Sequence, residues 1–325
     1  MKRNQIILLG GLSLLCLLLL PWVGPERLSL RGLLAWGGDW TADQIIFFQL
    51  RLPRVLLGLL AGGALAMSGA TLQVLFRNPL AEPWTLGVAG GASLGAFIAR
   101  LCQICWWAWG PFHSGQLLAL LGAAGALLLV GAVARRAGGA GTPALLLAGI
   151  TLSVVCGGAI MMISGFVSPW KLAEFQRWLL GGLDAASWGD VAALLLLVVP
   201  GGAILLALAR HYNPLALGED MAAGQGVDVA AVRRWTAIGA GVAAAGVAAV
   251  AGPIGFIGLL APHAVRRLVG PDMRRVVPAS FLLGGSLLAA CDALGRWAAA
   301  PLEMPVGALT AVLGGPVFLW LLARR

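Results

Sequence analysis

Three histidines (His113, His211 and His263), five cysteines and thirteen carboxylates are the groups in this chain that could carry bond chemistry, and their spacing points away from it. His263, in the string APHAVRR, has no carboxylate or thiol near it in sequence to form a base–nucleophile pair. Cys102-Gln-Ile-Cys105 has C-x-x-C spacing. It lacks a second pair and a histidine at ligand distance, so no metal is expected there. There is no G-x-x-x-x-G-K-[ST] phosphate loop and no H-E-x-x-H, and no G-x-S-x-G elbow is expected. The basic residues are more ordered. Arg51 and Arg54 stand one helical turn apart at the mouth of an uncharged, small-residue run, 55–75, which stops at Arg77, Asn78 and Pro79. Arginine–carboxylate forks orient partners and steer encounter. Arg51, Arg54 and Arg296 could present such forks. Two other readings stay open: interfacial snorkelling, and an intrahelical pair between Asp292 and Arg296.

These residues must be held by membrane helices. The 325 residues are 60% hydrophobic and only 11% charged, with mean hydropathy +0.91, whereas soluble domains carry about 25% charged residues. Apolar runs occur near 5–23, 55–75, 85–107, 115–134, 143–166, 191–209, 234–251, 254–269, 277–297 and 305–322. Each is near the roughly 20 residues needed to span, so the expected fold is all-α with ten transmembrane helices in a single domain, 1–325. The eighth run, with Gly255, Gly258 and Pro262, reads as a broken helix. The run Ile6–Val23 is long for a signal peptide and no small-x-small site follows it, so it reads as the first span. With ten spans, fourteen basic residues fall on the side of both termini and eight on the other. Both termini are therefore expected in the cytoplasm. The net charge of +9 is a topology signal, which makes nucleic acid an unnecessary explanation.

Between the sixth and seventh runs lies RHYNPLALGEDMAAGQGVDVAAVRR, residues 210–234. Asn213-Pro214 is expected to break the preceding helix. Leu217 to Ala223 reads as one short amphipathic helix, ended by Gly224 and Gly226. With few acidic residues at mid-span and no phosphate loop, a transporter of this composition must draw its energy from another subunit.

Three stretches carry a resemblance. RLPR followed by small residues, LFRNPLAEP and LGVAGGASLGA, within 51–96, resemble the permease subunit of type II ABC importers. So do 214–227 and the Pro-His step with its basic turn in 252–275. That family carries ferric siderophores, haem and vitamin B12. The resemblance implies a homodimer with two ATP-binding subunits on the cytoplasmic side and a periplasmic or lipid-anchored binding protein on the other, in a bacterial inner membrane. The permease has no cofactor of its own, since ATP is used by the partner. An iron-siderophore or haem is the first expected substrate and vitamin B12 the alternative. The resemblance implies binding-protein docking at Arg51, Arg54 and Arg296, and ATPase coupling through a loop at about 211–233. Its coupling residues would be Leu217, Gly218, Glu219, Ala222, Gly226 and Val227. Arg77, Asn78, Pro79, Pro262 and His263 would form a cytoplasmic-edge motif. Gly157, Gly158, Gly307 and Gly314 would let the pathway helices approach and part. Two other classes remain: an ion-coupled secondary transporter, and an intramembrane enzyme, which would need a nucleophile and base at membrane depth.

Overall fold

A computed structural model of the chain describes residues 2–34, 40–102, 108–136, 142–184, 186–298, 300 and 303–323. Cys105, Arg324 and Arg325 lie outside them. The helices are α1 Lys2–Leu19, α2 Leu30–Leu33, α3 Ala42–Gln44, α4 Leu52–Leu75, α5 Val88–Leu101, α6 Ser114–Arg136, α7 Thr142–Ser164 and α8 Pro169–Leu179. They continue as α9 Trp188–Ala207, α10 Tyr212–Leu217, α11 Glu219–Gly224, α12 Val229–Ala251, α13 Ile257–Val269, α14 Met273–Ala298 and α15 Val306–Ala323. A π-helical stretch, Ile45–Arg51, leads into α4. Two-residue strands, Ala108–Trp109 and Phe112–His113, pair as a small hairpin.

Among the described residues, seven helices are long and apolar enough to cross a membrane, and Val88–Leu101 and Val306–Val317 are shorter apolar helices. With the 13-residue α13 they account for the ten expected runs. The eighth run is interrupted only at its start, since Gly258 and Pro262, expected to help break it, both lie inside α13. Gly252 and Phe256 both have positive φ, at 71° and 68°, and the chain becomes helical only from Ile257.

The core is built around α4, which packs against α14, α12, α13 and α9. Small residues make this possible. A Cβ at Gly62 would collide with the backbone of Gly284 on α14, and one at Gly69 with that of Gly258 on α13. Hydrocarbon tails are as apolar as leucine, so close backbone approach rather than water exclusion holds such helices together. In contrast α7 is peripheral, with Leu147, Val154, Val155, Met161 and Met162 all strongly exposed.

The segment between α9 and α12 departs from expectation. The break after α9 falls at Leu208–His211, and Pro214 sits in the first turn of α10, where its missing N–H costs nothing. The single helix expected over Leu217–Ala223 is two helices, because Gly218 at φ 147° turns the chain between them. Only glycine adopts that conformation without strain.

Candidate functional site

At one end of the molecule the three docking candidates converge. Arg54 reaches across to α14, where Nε and Nη2 both donate to the Asp292 carboxylate at 2.9 Å. Its Nη1 donates to Glu303 at 2.9 Å, in the segment entering α15. Arg296 shares the same Asp292, with Nε at 3.2 Å from Oδ2. Arg51 donates instead to the carbonyls of Pro21, Trp22 and Glu26. Gly24 leaves room for it, since a Cβ there would lie 2.7 Å from the guanidinium carbon. All three arginines are under 10% exposed, as is Asp292, while the Glu303 side chain is 40% exposed. The three docking candidates are thus held within the chain rather than projecting from it. Arg51 and Arg54 meet acceptors inside the chain, as a buried guanidinium must, whereas Arg296 Nε lies beside Asp292 without a hydrogen bond. The pairing of Asp292 with Arg296 is observed.

The opposite end joins two motifs far apart in sequence. After α4, Asn78 donates its N–H to Gln73 and Arg77 donates to Val74, which closes the helix with a Schellman motif. Arg77 occupies its left-handed position at φ 45°, a place usually taken by glycine. Asn78 then accepts Leu80 N–H on its side chain, shaping the turn over Pro79. This turn and the start of α7 wall a groove of about 840 Å³, whose other wall is Leu217 to Met221. Gly218 faces Arg77 here.

The loop is braced from three directions. Glu219 accepts Arg233 Nη2 at 2.7 Å. Tyr212 and Thr236 share a buried hydrogen bond of 2.9 Å. Asn213 donates to Asp272 and accepts Met273 N–H, both at 2.8 Å. That amide holds the Asp272 carboxyl below its usual range, helped by Arg274 N–H and the nearby charges of Arg274 and Arg275. A second Schellman motif closes α11, with Gly226 left-handed at φ 80° and Val227 N–H on Ala222 O. Ala222 is fully buried, and Val227 is partly buried against the core. Leu217 and Met221 are the exposed apolar pair of this loop. Met221 was legible as the apolar residue one turn after Leu217.

Pro262 and His263 lie in the middle of α13 rather than at the edge beside Arg77. Pro262 has no N–H to give Gly258 O, one turn before it, and Gln73 Nε2 donates to that oxygen at 3.0 Å. Gln73 in turn accepts Arg266 Nη1. Gln73 was not singled out from sequence, whereas Arg266 is part of the basic turn that follows the Pro-His step. A second omission is Glu82, in the connection between α4 and α5. Its carboxylate accepts the N–H of Phe256 at the start of α13, while burial pushes its pKa up to about 7.

Among the pathway glycines, Gly307 packs against Leu180 O and Gly314 against Phe256. Gly157 and Gly158 face open space on α7. Gly91-Ala92-Ser93-Leu94-Gly95 does have the letters of G-x-S-x-G, but the string lies within α5 with Ser93 buried, not on a strand-to-helix turn. It presents no nucleophile.

Comparison with known proteins agrees with a transport role. The FecCD transport family matches residues 12–324. The cobalamin import permease BtuC of Halobacterium salinarum is 41% identical over 94% of this chain and 80% of its own length. The hemin transport permease HmuU of Yersinia pestis is 38% identical over 99% of this chain and 97% of its own. A vitamin B12 import permease of Escherichia coli O17:K52:H18 is 37% identical over 98% of this chain and 94% of its own. An inward-facing structure of a transporter assigned to the metal-chelate ABC type superposes with a TM-score of 0.88 at 28% identity, covering 99% of this chain and 100% of that one. The paired arginines, the braced loop and the ten apolar helices are thus those of a multi-pass ABC importer permease, and the chain belongs to the FecCD transport family.

Proposed function

We propose that this permease imports a metal chelate as a homodimer, driven by two ATP-binding subunits and supplied by a periplasmic or lipid-anchored binding protein. The observation that carries this reading is the braced shelf at the Arg77 end. Leu217 and Met221 stand exposed beside a groove of about 840 Å³. Exposed apolar side chains outside the membrane are a mark of a partner surface. The loop, 211–233, is fastened to α12 and to the start of α14, so a push on it reaches the spanning helices directly. The positive excess on the side of both termini supports their placement in the cytoplasm of a bacterial inner membrane. The unpartnered face of α7, with Gly157 and Gly158, is where a second copy would complete a central path. One domain, 1–325, serves the whole task and performs no bond chemistry itself.

Arg51, Arg54 and Arg296 contribute to docking as the frame of the rim. Glu303, half exposed on Arg54, is the position where an incoming carboxylate would compete. For the cargo, relatives named for cobalamin, vitamin B12 and hemin support a metal held in a macrocycle. An iron-siderophore would use the same machine.

Reconstitution into liposomes with the ATPase and binding protein tests the reading. Uptake of cyanocobalamin or haem is expected only with ATP inside and binding protein outside. Uphill uptake driven by an ion gradient, without ATP, would overturn it.

A further inference from the structure

Between α13, α14 and α15 lies a groove of about 390 Å³. Leu260 of α13, Leu283 and Leu287 of α14, and Leu313 and Val317 of α15 give it almost wholly apolar walls. Arg267 is different. It lines the same groove two residues before the end of α13, and no ion pair among the described residues uses it. It belongs to an arginine-rich edge with Arg274 and Arg275 in the first turn of α14, whereas Arg266 beside it is spent on Gln73 and the carbonyl of Ala70.

The dimensions separate the possible occupants. From Ile257 to Arg267 the α13 wall rises about 15 Å at 1.5 Å per residue. That is half of a hydrocarbon core roughly 30 Å thick. A spanning helix from a second copy would need the full thickness and about 10 Å of width. It would also need an acid to meet Arg267, and the exposed helix α7 carries none. A lipid of one leaflet meets both conditions. Its chain reaches to the bilayer middle, and its phosphate lies at the edge, where a guanidinium binds it in a fork.

We propose that this groove holds an acyl chain of one anionic phospholipid from the leaflet at the arginine-rich edge, with the phosphate seated on Arg267. The lipid would fill the gap where α15 stands off from α13 and α14. It rests on the chain crossing a membrane, not on which cargo it carries or which motor drives it.

Native mass spectrometry of the purified chain in detergent tests this, with phosphatidylglycerol, phosphatidylcholine of the same chains, and inorganic phosphate as probes. The wild type is expected to keep one phosphatidylglycerol through washing, in preference to phosphatidylcholine. Arg267→Gln is expected to weaken that retention about fivefold, the effect of one charge at a membrane surface. Arg267 is exposed, so this variant keeps the fold. Leu287→Trp, which fills the groove, is expected to abolish retention of either lipid. Equal retention by wild type and Arg267→Gln would overturn the proposal, as would equal binding of the two lipids. Protection by phosphate alone would replace the lipid with a soluble anion. A lost dimer at unchanged lipid count in Leu287→Trp would assign the groove to a second copy.

Discussion

The two ends of this permease use arginine in opposite ways. At the Arg54 end, two guanidinium groups share one carboxylate under less than 10% exposure, and Arg51 is spent on backbone carbonyls. At the Arg77 end, the Glu219–Arg233 pair is partly open, and Leu217 and Met221 stand exposed beside a groove. The first arrangement locks helices α4 and α14 to the start of α15. The second braces a loop while keeping its apolar residues accessible. What a charge at a helix end does is therefore set by the acceptors around it.

That contrast can be broken most sharply at Asp292. Asp292→Ala leaves Arg54 and Arg296 buried without their shared carboxylate, and should cost about 3–5 kcal/mol. Thermal unfolding in detergent would show it, and an unchanged midpoint would mean the network is not buried as described. Glu82 gives the next effect, of about 1–3 kcal/mol. Its folded pKa of about 7 lies above the ordinary 4.5, so the folded state holds the proton more tightly. Its stabilising contribution is full below 4.5 and is lost as pH rises through about 7. Glu82→Gln should flatten stability across that window; a profile identical to wild type would refute the assignment.

At the loop, Gly226→Ala forces a side chain into φ 80° and should cost about 1–2 kcal/mol. In the assembled transporter it should also raise ATP hydrolysis relative to uptake. Normal coupling would remove this turn from force transmission. The smallest effect is expected at Glu303→Gln. The pair it breaks is 40% exposed on the carboxylate side, so stability should change by less than about 1 kcal/mol. Binding-protein affinity, measured by surface plasmon resonance, should nevertheless rise as Arg54 gains a free donor. A large loss of stability instead would place Glu303 with Asp292 in the structural lock.

The ten apolar runs, the existence of an interruption in the eighth and the stop at Arg77-Asn78-Pro79 were legible in the chain, although the interruption falls at Gly252–Phe256 and not at Gly258 or Pro262. Their signals are local: hydropathy over a span, a missing proline N–H, a glycine conformation. The split of the loop at Gly218 was not, because a glycine within a helical pattern fits either a helix or a turn until its neighbours hold it. The family was legible as well, since its motifs are strings.

Sequence alone thus determined that this is a polytopic helical permease, where most of its helices begin and end, and which residues are candidates at each end. Tertiary structure alone decided which candidates are spent. Arg54 meets Asp292 across 238 positions, and Gln73 meets the carbonyl released by Pro262 across 185. A side chain's partner at such separation depends on how helices are laid side by side, and no local spacing records that.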